Sequence, residues 1–192
     1  QTNKKYEEFS KKIFGYYDKR KWFNYLSLAS VIQKEAATTN EMPIVSSVIH
    51  NRLKKGMKLQ MDGTLNYGIY SNEVVTAERI RDDNTTYNTY KVVGLPTDPV
   101  CAVSLEAIKA AIFPVKSDYL YFVRENKTGL HKFAVTFETH QANIRANVGV
   151  EKTYTKEKID ETQIDAEAET IMKTDVTKQK PVSIKDLFNN IN

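Results

Sequence analysis

The chain has 192 residues, 41% hydrophobic and 27% charged, enough for one hydrophobic core and an appended segment. Its net charge of +4 is spread along the sequence rather than gathered into a basic run, which argues against nucleic acid as a partner. A single cysteine, Cys101, excludes an intrachain disulfide, and no stretch approaches the roughly 20 apolar residues that a membrane-spanning helix needs.

In chain order, Tyr6, Phe9, Ile13 and Tyr17 share a stripe at helical spacing and predict an amphipathic first helix through "YEEFSKKIFGYYDKRKWF". A second helix is predicted from about Asn24 to Ala37, and a third from near Pro43, which suits a first turn, to a stop at Gly56. Between Met57 and Pro99 the pattern is irregular, with short helical pieces at most. Ser104 then caps "SLEAIKAAIF", which Pro114 ends. Two aromatic and β-branched runs, "YLYFV" and "HKFAV", flank Asn126, Lys127, Thr128 and Gly129, the signature of a hairpin. Thr136 opens a last helix ending by Gly149.

Helices followed by one hairpin, without repeated strand-helix-strand units, predict an α+β fold: helices packed with a small antiparallel sheet. From residue 150 to 192 the chain turns rich in Glu, Lys, Thr and Asp, as expected of a peripheral extension. It closes on a short docking helix with Ile184, Leu187 and Phe188 on its apolar face. The expected organisation is 1–25 as a leading helix and linker, 26–149 as the functional domain, and 150–192 as the extension.

Glu35 stands out within "SLASVIQKEAATTN". At about 100° per residue it falls in one arc with Leu28, Val31 and Ile32, so its carboxylate shares the buried stripe. Burial disfavours the ionised form, and a glutamate kept protonated near neutrality can donate a proton. The plainer alternative is a partly solvated glutamate at a helix end, or one paired with Arg52. His131 and His140 lack metal-site spacing and are expected to pack and hydrogen-bond, with Cys101 as a small buried side chain; no metal or other cofactor is implied.

"VSSVIHNRLKKGMKLQMDGTLNYG", "YNTYKVVGLPTDPV", "AIKAAIFPVKSDYLYFV" and "HKFAVTFETH", taken in order behind Glu35, resemble the YceG-like (MltG) family of endolytic murein transglycosylases. The resemblance spans Ala29 to His140 in ordered blocks. It implies an enzyme that cleaves the β-1,4 bond between N-acetylmuramic acid and N-acetylglucosamine inside peptidoglycan strands, leaving 1,6-anhydro ends. Glu35 matches the family's catalytic glutamate and would act as general acid, then base. Gln60 and Asp62, on the loop after the Gly56 stop, are implied substrate-binding residues, as are Tyr87, Asn88, Thr89 and Tyr90 of "YNTY". For Asp62 the alternative is a cap on a short helix near Thr64; for the tyrosines it is simple packing. Tyr119, Tyr121 and Phe122 are expected in strand core, with one ring at the cleft.

The chain departs from the family pattern at Gln33, where an acid is usual, at Thr97 and Asp98 after "GLP", and at Gly63, where proline is common. Gln33 is expected to point off the buried stripe, and Gly63 to loosen its loop. Family members carry an N-terminal transmembrane anchor, so this chain is expected to be a soluble piece of an anchored envelope protein working on the extracytoplasmic face. Peptidoglycan glycan strands are the implied partner, with peptidoglycan synthases as a further one. Two alternatives are a non-catalytic peptidoglycan-binding module and a scaffold of wall synthesis; a lyase of chorismate metabolism would require a phosphate-binding loop, and the sequence has no Gly-rich one.

Overall fold

The computed structural model describes residues 2–71 and 73–150; the expected charged extension and terminal helix, from residue 151 on, lie outside the described residues. The helices are α1 (Thr2–Phe14), α2 (Lys19–Glu35), α3 (Met42–Lys54), α4 (Asp62–Leu65), α5 (Ala77–Asp82), α6 (Leu105–Ile112) and α7 (Phe137–Ala146). Strands β1 (Tyr121–Arg124) and β2 (His131–Ala134) form one antiparallel hairpin, with Tyr121 opposite Ala134 and Arg124 opposite His131. The α+β architecture is the expected one.

Local chemistry sets the boundaries. The first predicted helix is in fact split, because Gly15 takes a left-handed φ of 76° and Asp18 then caps α2 by accepting from the N–H groups of Arg20 and Lys21. Helix α2 therefore starts five residues before the expected Asn24, at Lys19. Ser104 and Thr136 cap α6 and α7 by accepting from the N–H groups of Ala107 and Thr139. Gly56, at φ 66°, follows the end of α3 as its position predicts.

Helix α2 is the central element. Trp22, Tyr25, Leu28, Ala29, Val31 and Ile32 are buried on it, against Val45, Ile49 and Leu53 of α3 and Ala107, Ile108, Ala111 and Ile112 of α6. Alanines on α6 and Ala29 on α2 let the two backbones approach closely, and each large aliphatic buried here contributes about 1.5–3 kcal/mol. Tyr6, Phe9, Ile13 and Tyr17 pack on the same core, so the predicted stripe does face inward. Trp22 packs against the rings of Tyr6 and Phe9, each 6.0 Å away.

Polar side chains tie the irregular segments to this bundle. Ser27 donates to the Pro96 carbonyl at 2.7 Å and Ser30 accepts from the Val100 N–H at 2.9 Å, fixing the loop before α6. Asn51 donates to the carbonyls of Ser117 and Tyr119, and Arg52 to those of Leu120 and Leu59. The Asn-Arg pair of α3 thus satisfies backbone acceptors on both segments that flank the cleft described below.

A second knot lies at the turn Thr39–Glu41. The buried carboxylate of Glu41 accepts from the Ala37 N–H at 3.0 Å, the His131 N–H at 2.6 Å and His131 Nδ1 at 2.9 Å. Burial works to raise the pKa of Glu41, but the hydrogen bonds and charge of His131, with the Ala37 N–H, outweigh it and hold the carboxyl below its ordinary value. This stabilisation is present above the unfolded carboxylate pKa and is lost as pH falls through the lower folded value. Glu41→Ala is expected to cost about 1–3 kcal/mol for each buried donor it leaves unsatisfied, the N–H groups of Ala37 and His131 first. Urea denaturation should find the gap to wild type narrowing as the pH is lowered below about 4.

Candidate active site

A cleft of about 390 Å³ opens beside the C-terminal end of α2. Glu35, the last residue of α2, and Arg52 of α3 line it together with two walls. One wall is the segment Leu59–Asp62 with Tyr90; the other is β1, through Tyr121, Phe122 and Val123, and α7, through Phe137, His140 and Ile144.

Glu35 continues the stripe of Leu28, Val31 and Ile32, which are 1%, 0% and 0% exposed. Its side chain keeps a partial opening to the cleft, yet protein surrounds it closely enough that desolvation dominates its titration. The carboxyl pKa is raised to about 7, first by burial and further by the nearby Asp62 charge; the Gly63 N–H, His131 and Arg52 pull the other way. No ion pair joins Glu35 to Arg52 among the described residues. The guanidinium of Arg52 donates instead to the Leu59 and Leu120 carbonyls and lies 5.5 Å from the Tyr121 ring centre. Glu35 is therefore neither splayed into solvent nor neutralised by a partner.

Gly63 corrects a sequence expectation. Rather than loosening its loop, its N–H donates to Glu35 Oε1 at 2.7 Å, a bond that proline in the same place would lack. A Cβ added here would lie 2.7 Å from both Glu35 Oε1 and Lys34 Cβ, so only glycine admits the backbone this close to the carboxyl.

The other site residues separate into two groups. Gln60, Asp62 and Tyr90 line the cleft with Glu35. Gln60 is exposed and held at φ 51°, an uncommon conformation for a residue with a Cβ, by its N–H donating to the Thr89 carbonyl. Tyr90 donates its hydroxyl to Asp62 Oδ1 at 2.6 Å, and burial, with that bond, raises its pKa and keeps it protonated. Asp62 opens α4 without capping it by its side chain, so the capping alternative does not hold.

Tyr87, Asn88 and Thr89 lie outside the cleft lining. Asn88 is 0% exposed and spends its amide on the carbonyls of Ile80 and Asp83 and the N–H of Tyr90. Thr89, also 0% exposed, accepts from the Met61 N–H and bonds the Thr64 hydroxyl. Tyr87 stacks on Tyr67 at 4.1 Å and donates to Asp98. These residues shape the Gln60–Asp62 wall from behind. Thr97 and Asp98, the departures from the family pattern, bond Thr86 and Tyr87 and so fasten the same segment.

Gln33 points away from the cleft and accepts from the Ser104 N–H, tying α2 to α6. His131 is the packed, bonded histidine expected, whereas His140 stacks on Tyr121 inside the cleft and its Nδ1 has no hydrogen-bond partner. Cys101 is half-buried, with its thiol 3.4 Å from the Ser30 carbonyl. The sequence offers Arg52 as a partner for Glu35 and within the "NRL" block of the family resemblance, and it gives Phe137 and Ile144 no site role. Their spacing with His140 on α7 was visible, but which way that helix faces was not.

A model of the YceG-like family matches residues 1–146. The chain is 36% identical over 128 residues to the endolytic murein transglycosylase of Streptococcus pneumoniae serotype 2 strain D39, covering 64% of this chain and 23% of that protein. It is 35% identical over 115 residues to the endolytic murein transglycosylase of Bacillus subtilis strain 168, covering 60% of this chain and 32% of that one. The chain therefore spans less than a third of the length of these curated relatives, 23% and 32%. The crystal structure of a yceG-like protein, lmo1499, from Listeria monocytogenes superposes with a TM-score of 0.63 at 34% identity, covering 73% of this chain and 44% of that one.

Glu35 weighs against stability once it ionises. Between pH 4.5 and 7 the folded chain keeps a proton that the unfolded chain releases, so stability falls as pH rises through this window. Glu35→Gln, which keeps an acceptor for Gly63, should stabilise the protein more at pH 8 than at pH 4 by about 2 kcal/mol, allowing for the side open to the cleft. Thermal denaturation at the two pH values measures it. Gly63→Ala should cost at least about 1–3 kcal/mol through overpacking against α2.

Proposed function

The chain belongs to the YceG-like family, and on that premise we propose that it is a lytic transglycosylase acting within peptidoglycan glycan strands. The observation that carries this reading is the position of Glu35: a carboxyl with a pKa raised to about 7, lining a cleft and free of a cationic partner. The names of the Streptococcus and Bacillus relatives support the substrate class.

In the proposed reaction Glu35 donates its proton to the glycosidic oxygen between N-acetylmuramic acid and N-acetylglucosamine as that bond breaks. The N-acetyl oxygen of the muramic ring stabilises the positive charge at C1, in place of a carboxylate nucleophile. The glutamate anion then takes the proton of the C6 hydroxyl, whose oxygen closes on C1 to give the 1,6-anhydro end. No water is consumed, and the enzyme ends the cycle protonated as it began. The Gly63 N–H and the Arg52 charge favour the anion formed between the two steps, while desolvation restores its affinity for the second proton. Gln60, Asp62 and Tyr90 are the proposed substrate-binding residues of the polar wall. Tyr87, Asn88 and Thr89 serve this role only indirectly, by holding that wall.

Residues 26–149 form the proposed catalytic unit, with α1 packed against it. Such a substrate places its working side in the cell envelope, on the extracytoplasmic face of the cytoplasmic membrane, within reach of peptidoglycan synthases. No helix among the described residues is long and apolar enough to cross a membrane.

A second reading rests on Asp62, whose carboxylate lines the same cleft. With Asp62 as base or nucleophile beside Glu35 as acid, the enzyme would hydrolyse the bond and leave reducing ends. Mass spectrometry of digested peptidoglycan decides between them: 1,6-anhydromuramic ends are expected, and reducing ends would overturn the transglycosylase reading. Glu35→Gln should lower turnover by about 10²–10⁴-fold with glycan binding retained; full turnover in this variant would remove Glu35 from the chemistry, and binding without cleavage by the unaltered protein would leave only a binding module. Because the first step needs the protonated acid, kcat/KM should fall about tenfold per unit above pH 7.

A further inference from the structure

Helix α7 carries an apolar stripe that the fold does not bury. Phe137 is 51% exposed and Ile144 42% exposed, and with half-buried His140 between them they share one face at helical spacing. All three open on the cleft that contains Glu35, across from Gln60, Asp62 and Tyr90. Exposed apolar side chains are ordinary when scattered, but a contiguous row along a cleft calls for an occupant.

The row is rigidly based. His140 stacks on Tyr121 at 5.2 Å with 22° between planes, and Phe137 packs on the same ring at 5.8 Å. Tyr121 lies on β1, which is paired to β2 and anchored through Arg52 and the Leu120 carbonyl. Burial, with the nearby Arg52 charge, lowers the pKa of His140, so its imidazole is uncharged near neutrality and its ring face joins the wall without a charge. The opposite wall presents an amide, a carboxylate and a phenol. A pyranose ring has the same two-sidedness, C–H groups on its faces and hydroxyls at its edges, and a cleft with one apolar and one polar wall is its complement.

The geometry points to a second saccharide subsite on α7: Phe137, His140 and Ile144 receive the face of a glycan ring next to the bond over Glu35, while Gln60 and Asp62 meet its hydroxyl edge. This assignment rests on the proposed glycan-cleaving function and adds where the strand is gripped. It makes Phe137 a binding residue with no part in proton transfer.

The test uses glycan oligomers stripped of peptide stems. Their binding is titrated to the Glu35→Gln protein by the fluorescence anisotropy of labelled oligomers, and their cleavage followed with active protein. Phe137→Ala should weaken binding and raise KM by about 5–20-fold with kcat changed less than about threefold, since a stacking contact of this kind is worth on the order of a tenfold change in affinity. Phe137→Tyr should restore both, and Val148→Ala, 76% exposed and outside the cleft lining, should leave both unchanged. Thermal denaturation checks that each variant is folded. Binding and KM unchanged in Phe137→Ala would overturn the subsite, as would an effect confined to stem-bearing glycans, which would give the wall to the peptide. If the active protein releases no 1,6-anhydro ends while binding still depends on Phe137, the reaction reading falls and the subsite stands.

Discussion

Three N–H donors converge on the carboxylate of Glu41, and the cleft depends on that convergence. One donor, Ala37, lies two residues beyond the end of α2; the other two belong to His131 on β2. The end of the helix that carries Glu35 is thereby tied to the hairpin, and through strand pairing to Tyr121 and the α7 wall. A second link runs through Arg52, whose guanidinium donates to the Leu120 and Leu59 carbonyls, so the α7 wall resting on the hairpin and the Gln60 loop resting on α3 and Thr89 are joined at two points.

Glu35 and Glu41 are six residues apart and both withdrawn from water, yet they titrate in opposite directions. The difference lies in what surrounds them. Glu41 receives three donors, including a histidine, and stays ionised; Glu35 receives the Gly63 N–H alone among the described residues and has the Asp62 charge nearby. Desolvation costs a carboxylate several kcal/mol unless donors replace the lost water. One glutamate thus serves as a structural tie and the other holds a proton, and the same core supports both.

The cleft also shows a division of labour between side chains in view and side chains behind. Asn88 and Thr89 are completely buried; Thr89 holds Gln60 in its left-handed conformation and Met61 in place, and Asn88 accepts from the Tyr90 N–H. Asn51 and Arg52 do the same for the opposite side through the carbonyls of Ser117, Tyr119 and Leu120, and Arg52 reaches back to the Gln60 side through the Leu59 carbonyl. Backbone acceptors in irregular segments need such partners, since no ladder satisfies them. That explains why the cleft draws on so many polar residues that do not line it.

Much of this was legible in the order of residues. Helical periodicity placed Glu35 on the stripe of Leu28, Val31 and Ile32, capping residues marked the starts of α6 and α7, and alternating aromatics around Gly129 marked the hairpin. These are local properties, settled by backbone geometry within a few residues. The tertiary structure decided the rest, because it turns on contacts between segments far apart in the chain: that Gly63 is a donor pressed against a carboxyl 28 residues earlier, that Asn88 faces inward while Tyr90 faces the cleft, and that α7 turns Phe137 and Ile144 toward Glu35. Periodicity tells which residues share a face, but only packing assigns that face to core, cleft or solvent.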